Sequence, residues 1–153
     1  MSEARANVHG TAIVVDGIGL LVVGPSGSGK SALAFDCLAE AGLRGLSCAL
    51  VADDQVFVSS QNGQVMAQQP SSIRGLIELR YSGIVSLASV TEAELHFAIK
   101  PAKADENARL PPEGERFLLT ANIGLPIIRV PFWSRFPLAL ILAQIATLQA
   151  TRC

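Results

Sequence analysis

The chain has 153 residues, half of them apolar, which is enough to fill one domain-sized core. A formal charge of −1 and a charged content of only 16% argue against the basic field that nucleic acid or an anionic membrane requires. The longest apolar run, residues 136–143, is broken by Gln144 and falls far short of the roughly 20 residues of a spanning helix.

In chain order, residues 11–15 and 18–23 read as apolar strands around Asp16-Gly17, a strong hairpin signal. A phosphate-loop pattern follows, then an apolar-faced helix from Ala32, ended near Gly42-Leu43-Arg44-Gly45. Residues 47–52 form a third strand closing on Asp53-Asp54. Residues 55–59 and 64–68 flank Asn62-Gly63 and predict a second hairpin. Pro70-Ser71-Ser72 offers a helix cap before a short helix or turn over 73–79, and residues 84–90 read as a strand. Over 94–100 the alternation of Leu95, Phe97 and Ile99 predicts one strand with these three on one face. Residues 101–116 read as loop, 117–130 as β structure broken at Gly124 and Pro126, and 137–148 as a last helix opened by Pro137. No repeat or linker divides the chain. The expectation is a single α/β phosphate-loop nucleotide-binding domain with a mixed sheet, spanning residues 1–153.

Gly24-Pro25-Ser26-Gly27-Ser28-Gly29-Lys30-Ser31 fits G-x-x-x-x-G-K-[ST] at every fixed position. Glycines let successive backbone N–H groups turn around a phosphate, and the following helix adds its positive dipole end. Lys30 is placed to reach the β- and γ-phosphates and Ser31 to ligate Mg²⁺. Lysine otherwise occurs only at Lys100 and Lys103, so its place in this loop is informative. Asp53-Asp54 ends a hydrophobic strand, where phosphate-loop proteins offer an acid to the metal. Adjacent strand residues point in opposite directions, so one carboxylate can serve the metal and the other the nucleophile. A guanine-reading Asn-Lys-x-Asp run is missing from the sequence, which sets a GTPase aside. His9 alone reads as a structural histidine at a strand start, and Glu78 alone as a surface acid. Phe132 and Trp133 read as core or subunit-contact residues.

The blocks His9-Gly10, Gly24 to Ser31, Leu50-Val51-Ala52-Asp53-Asp54-Gln55-Val56 and Leu76-Ile77-Glu78-Leu79-Arg80-Tyr81-Ser82-Gly83-Ile84-Val85 occur in this order. Together they resemble the catalytic domain of HPr kinase/phosphorylase, over roughly residues 9–142. The resemblance implies an ATP- and Mg²⁺-dependent kinase that phosphorylates a serine of an HPr-like phosphocarrier and reverses this with inorganic phosphate. It implies active-site roles for His9 and Lys30, and Mg²⁺ ligation by Ser31 and Glu78. It assigns proton transfer to the Asp pair: Asp54 is taken as the base and Asp53 as the acid nearer the metal, an order that could be exchanged. Arg109-Leu110 matches the family's D-R-L-G segment, which gives Arg109 a place in the site. A hexamer is implied too, in keeping with the self-association that a chain so poor in charge predicts.

The chain departs from the family pattern at Tyr81-Ser82, where a glycine and an aliphatic residue are usual. It departs again over 130–137, Val-Pro-Phe-Trp-Ser-Arg-Phe-Pro, in place of V-P-V-R-P-G-R-N. It matches a compact form without the separate N-terminal domain of longer members. The separated cysteines Cys37, Cys48 and Cys153, with no leader pattern at the start, predict a cytoplasmic protein without disulfide or zinc. The rival readings are a small-metabolite phosphate-loop kinase and a non-catalytic ATP-binding assembly module.

Overall fold

A computed structural model describes residues 5–70, 74–103, 109–120 and 122–150. Strand β1 (Arg5–Val15) turns at Asp16-Gly17 into β2 (Ile18–Val23), which runs straight into the phosphate loop and helix α1 (Lys30–Leu43). Both turn residues have positive φ, 51° and 77°, the backbone a two-residue hairpin demands. Next come β3 (Cys48–Ala52), β4 (Gln55–Gln61) and β5 (Gln64–Gln68), the last two joined at Asn62-Gly63. Then follow β6 (Leu76–Leu79), β7 (Gly83–Ser86), β8 (Glu92–Leu95), β9 (Phe97–Ala102), β10 (Arg116–Thr120), β11 (Ile123–Pro131) and α2 (Pro137–Ala150).

Nine strands make one mixed sheet in the order β10-β11-β9-β2-β1-β4-β5-β8, with β3 paired to β1. The β2–β9 and β9–β11 pairs are parallel, and β1 pairs antiparallel with each of its partners. β1 is the shared member. Its first half, Arg5 to His9, pairs with β4, and its second half lies between β2 and β3. Strand alternation serves two cores. Ile13, Val15, Leu20 and Val22 pack with Ala34 and Cys37 of α1 and with Leu138 and Ile141 of α2. Ala12, Leu21 and Val23 face a second cluster with Val56, Val58, Ala67 and Leu95.

Four local expectations are corrected. Residues 76–79, expected within a helix or turn, form β6 in a separate two-stranded sheet with β7. Ile77 is buried while its neighbours Leu76 and Glu78 are exposed, a period-2 pattern too short to read unambiguously. The Ser71-Ser72 cap lies outside the described residues, and β7 stops at Ser86, short of Val90. The strand expected over 94–100 breaks at His96, so that Leu95 enters the second core while Ile99 enters the first. The break is fastened to β2: the His96 N–H donates to the Gly19 carbonyl (2.8 Å), and the Gly19 N–H donates to His96 Nδ1 (3.0 Å). A Cβ on Gly19 would collide with the Glu94 carbonyl, so this approach requires glycine. Finally, β10 and β11 are separated by the turn at Asn122, and Gly124 and Pro126 lie within β11.

The helices are clasped by a carboxylate. Glu40 of α1 is 9% exposed; Oε1 accepts from the Leu138 N–H (2.9 Å) and Oε2 from the Ala139 N–H (2.8 Å). It thus satisfies two of the unpaired donors at the start of α2 and places negative charge at that helix's positive end. Burial, with the Glu40 and Asp36 carboxylates adding to it, pushes the neighbouring Cys37 thiol up to about 12. At the sheet edge, Arg129 of β11 holds Glu115 through two bonds (2.8 and 2.7 Å), and this hydrogen bonding keeps the Glu115 carboxyl below its ordinary 4.5.

Glu40→Ala is expected to cost roughly 1–3 kcal/mol by leaving two helix donors without partners, and Glu40→Gln less. An unchanged urea midpoint for Glu40→Ala would contradict the clasp. Because the Glu115 carboxyl is held low, its contribution to stability is present above about pH 4.5 and fades as the pH falls further. The stability gap between the unaltered protein and Glu115→Gln should therefore close on acidification; a gap constant from pH 7 to pH 3 would refute this.

Candidate active site

β2 delivers Gly24 to the mouth of a loop that closes at Lys30, the first residue of α1. Within it Gly27 and Gly29 have φ of 82° and 90°, a left-handed backbone that a side chain would strain. The Ser28 N–H donates to the Pro25 carbonyl (3.1 Å), and the buried Ser28 Oγ has no partner among the described residues. Lys30 is buried, and its Nζ donates to the Pro25 carbonyl at 3.0 Å, inside the loop it would serve.

Behind the loop lies Asp53, at the end of β3 and 6% exposed. Its Oδ1 accepts from Thr11 Oγ1 (2.8 Å) and Ser31 Oγ (2.7 Å), and its Oδ2 from the Glu78 N–H (3.1 Å). One buried carboxylate thereby joins β1, α1, β3 and β6. Asp54 has a φ of 73°, a left-handed kink between β3 and β4, which run in the same direction along β1, and its side chain is exposed. Asp54 Oδ1 lies 2.7 Å from His9 Nε2, with both side chains more than half exposed. A carboxylate only accepts, so the proton of this bond sits on His9 Nε2. The Gly10 N–H donates to the Asp54 carbonyl (3.2 Å), which fastens the His9 end of β1 to the same turn.

These groups line one cleft of about 260 Å³, with Glu78 on its wall. His9, Lys30, Ser31, Asp53, Asp54 and Glu78 are thus brought together from four separate stretches of chain. Arg109 sits in an exposed bend and is not among the described residues that line the cleft. Two lining residues, Thr11 and Arg80, were given no role by sequence reasoning. Thr11, 1% exposed, is the hydroxyl that interrupts an apolar strand run. Arg80 stands two residues after Glu78 and shares its side of the hairpin. Phe132 and Trp133, for which the core was one option, are exposed and stack edge-to-face (5.2 Å between centroids).

The Ser31 hydroxyl and the Asp53 and Glu78 carboxylates are hard oxygen donors. They fit Mg²⁺, which is commonly held by one or two carboxylates together with substrate phosphates. Among the described residues, no group of three or more His, Cys, Asp or Glu converges as a metal cage.

The family model described as HPr Serine kinase C-terminal domain matches residues 2–103. The chain belongs to that family. Its curated relatives include the HPr kinase/phosphorylase of Enterococcus faecalis, 30% identical over 137 residues, covering 83% of this chain and 42% of that protein. The HPr kinase/phosphorylase of Lactiplantibacillus plantarum is 28% identical over 152 residues, covering 93% of this chain and 46% of the relative. The chain therefore spans less than half the length of these relatives. The solved HPr(Ser) kinase/phosphatase of Coxiella burnetii superposes with a TM-score of 0.75 at 25% identity, covering 95% of this chain and 98% of that one. The α/β class with a mixed sheet, read from the sequence, agrees with this likeness.

The two aspartates should separate in a stability measurement. Asp53→Ala strands the buried Thr11 hydroxyl and the Glu78 N–H, at an expected cost of roughly 1–3 kcal/mol. Asp54→Asn keeps a residue type that tolerates positive φ and should stay within about 0.5 kcal/mol. Equal losses by urea unfolding would show that Asp53 is no hub.

Proposed function

We propose that the chain is the catalytic unit of an ATP- and Mg²⁺-dependent protein-serine kinase that acts on an HPr-like phosphocarrier and also runs the reverse phosphorolysis with inorganic phosphate. The observation that carries this reading is a single cleft in which the phosphate loop meets the buried Asp53 carboxylate and an exposed His9–Asp54 pair. Family membership supplies the acceptor class.

The amides from Gly24 to Ser31 would wrap the nucleotide phosphates, and Lys30 would exchange its bond to the Pro25 carbonyl for a phosphate oxygen. Ser31, Asp53 and Glu78 would hold Mg²⁺, whose role when bound is to neutralise phosphate charge. Asp54 would accept the proton of the incoming serine hydroxyl as the serine oxygen bonds to the γ-phosphorus and the bond from that phosphorus to the bridging oxygen breaks, releasing ADP. His9, donating from Nε2, orients that carboxylate and disperses its charge. In reverse, a protonated Asp54 returns its proton to the serine oxygen as the serine O–P bond breaks and inorganic phosphate takes the phosphoryl group. Phosphoryl transfer needs alignment and charge neutralisation more than covalent help, which suits this set of groups.

The same reading places the protein in the cytoplasm; no helix among the described residues is long and apolar enough to cross a membrane. It also predicts a homo-oligomer. Exposed Phe132, Trp133 and Phe136, close together in sequence at the end of β11 and the start of α2, support this.

With ATP, Mg²⁺ and a purified HPr-type carrier, mass spectrometry should show one added phosphoryl group on a carrier serine. No transfer to any of several such carriers would sink the acceptor assignment. Lys30→Ala should weaken nucleotide binding about tenfold or more. Asp54→Asn should spare binding while lowering the transfer rate by about 10²–10⁴; a full rate in this variant would remove Asp54 as the base.

A further inference from the structure

Thr11 stands where β1 changes partners. The pairing of β1 with β4 ends at His9, opposite Gln55, and its pairing with β3 begins at Ala12, opposite Ala52. Gly10 and Thr11 therefore span the gap across which Asp53 and Asp54 lie, and the Gly10 N–H donates to the Asp54 carbonyl (3.2 Å). Side chains two apart on a strand leave on the same side, and both His9 and Thr11 line the cleft. One strand thus holds both acids. His9 Nε2 donates to Asp54 Oδ1 (2.7 Å), and the Thr11 hydroxyl donates to Asp53 Oδ1 (2.8 Å). Thr11 is 1% exposed, a depth at which a hydroxyl is costly unless a partner takes its proton.

The proton count at Asp53 Oδ1 gives this bond its meaning. A carboxylate only accepts, so the Thr11 and Ser31 hydroxyls each direct their one proton at that oxygen. Ser31 Oγ keeps its lone pairs, the part of a hydroxyl that a cation uses. Where those lone pairs face depends on where Asp53 Oδ1 is held. The Glu78 N–H holds the other oxygen (3.1 Å), and Ser31 is itself the group being oriented. Among the described residues, the remaining donor to Oδ1 is Thr11. Partners one step behind a metal's ligands tune its affinity by fixing how those ligands point. We propose that Thr11 is a positioning residue for divalent-cation binding beside the phosphate loop: its hydroxyl fixes Asp53, and through Asp53 the orientation of Ser31, and so sets how strongly Mg²⁺ tightens nucleotide binding. This rests on the nucleotide- and Mg²⁺-binding part of the reading given above, but its test needs no acceptor protein.

Calorimetry with a non-hydrolysable ATP analogue, in EDTA and across a Mg²⁺ series, compares the unaltered protein with Thr11→Val, Thr11→Ser and Ile13→Val. Valine keeps the shape of threonine and removes the donor. Ile13→Val trims a buried core residue two positions along β1 and controls for loosening of the strand. Thr11→Val should raise the Mg²⁺ concentration at the midpoint of the tightening about tenfold or more. Its affinity for the analogue in EDTA should stay within about threefold of the unaltered protein's, because the lost bond acts through the cation's ligands. Thr11→Ser, which keeps the donor, should restore the Mg²⁺ midpoint, and Ile13→Val should leave it unchanged. Should Thr11→Val not fold, Thr11→Ala removes the same donor and is read by the same criteria. An unshifted midpoint in the variant without the hydroxyl, the same shift in Thr11→Ser or Ile13→Val, or equal weakening with and without Mg²⁺ would overturn the assignment. So would an analogue that Mg²⁺ does not tighten in the unaltered protein. Failure to phosphorylate any carrier, with the Mg²⁺ shift intact, would sink the kinase reading and leave Thr11 in place. Absence of nucleotide binding by the unaltered protein would overturn both.

Discussion

The buried carboxylate of Asp53 is the constraint from which the site is built. A desolvated acid is costly unless its lone pairs are filled, and here a hydroxyl from β1, a hydroxyl from the first turn of α1 and an amide from β6 fill them. Each donor comes from a different element, so the requirement to satisfy one side chain fixes the relative positions of four. The phosphate loop, the Asp53-Asp54 pair and the β6–β7 hairpin are held in register by that requirement as well as by the apolar cores on either side of the sheet. One atom carries much of this: Asp53 Oδ1 accepts from the hydroxyls of both Thr11 and Ser31.

Asp54 shows the opposite economy. Its positive φ turns the next carboxylate out of the packed interior to meet His9 at the mouth of the cleft. Two adjacent acids with the same side chain are thus given unlike surroundings, one dry and saturated, the other wet and with oxygen lone pairs to spare. Such division lets one acid hold charge still while its neighbour handles a proton. The backbone bond from Gly10 to the Asp54 carbonyl keeps the exposed pair from drifting apart although both side chains face solvent.

Much of this was legible in the chain itself, and the limits have physical causes. Asp16-Gly17 and Asn62-Gly63 announce hairpins because few residue pairs accept two successive positive φ values, and both pairs adopt them. The loop from Gly24 to Ser31 is legible because each fixed residue answers a local demand of phosphate binding. By contrast, β6 shows only one buried side chain, Ile77, and four residues cannot tell period 2 from a helical turn. The face reversal at His96 is invisible to alternation, since it depends on a contact with Gly19, a residue 77 positions away. Thr11 and Arg80 escaped for a related reason. Their neighbours in the cleft come from distant segments, and a pattern read along the chain does not report what folding brings across it.

The clasp between Glu40 and α2 carries one more consequence. The sequence of α2, Pro137 to Ala150, holds no charged side chain, so the helix has no ion pair or charged cap of its own. Its start is electrostatically completed by a residue almost a hundred positions earlier, on the helix whose first turn carries Lys30 and Ser31. Detached from α1, the segment would have little besides hydrophobic burial to keep its first turn wound. The order of α2 is in that sense borrowed, and its winding registers whether α1 is in position.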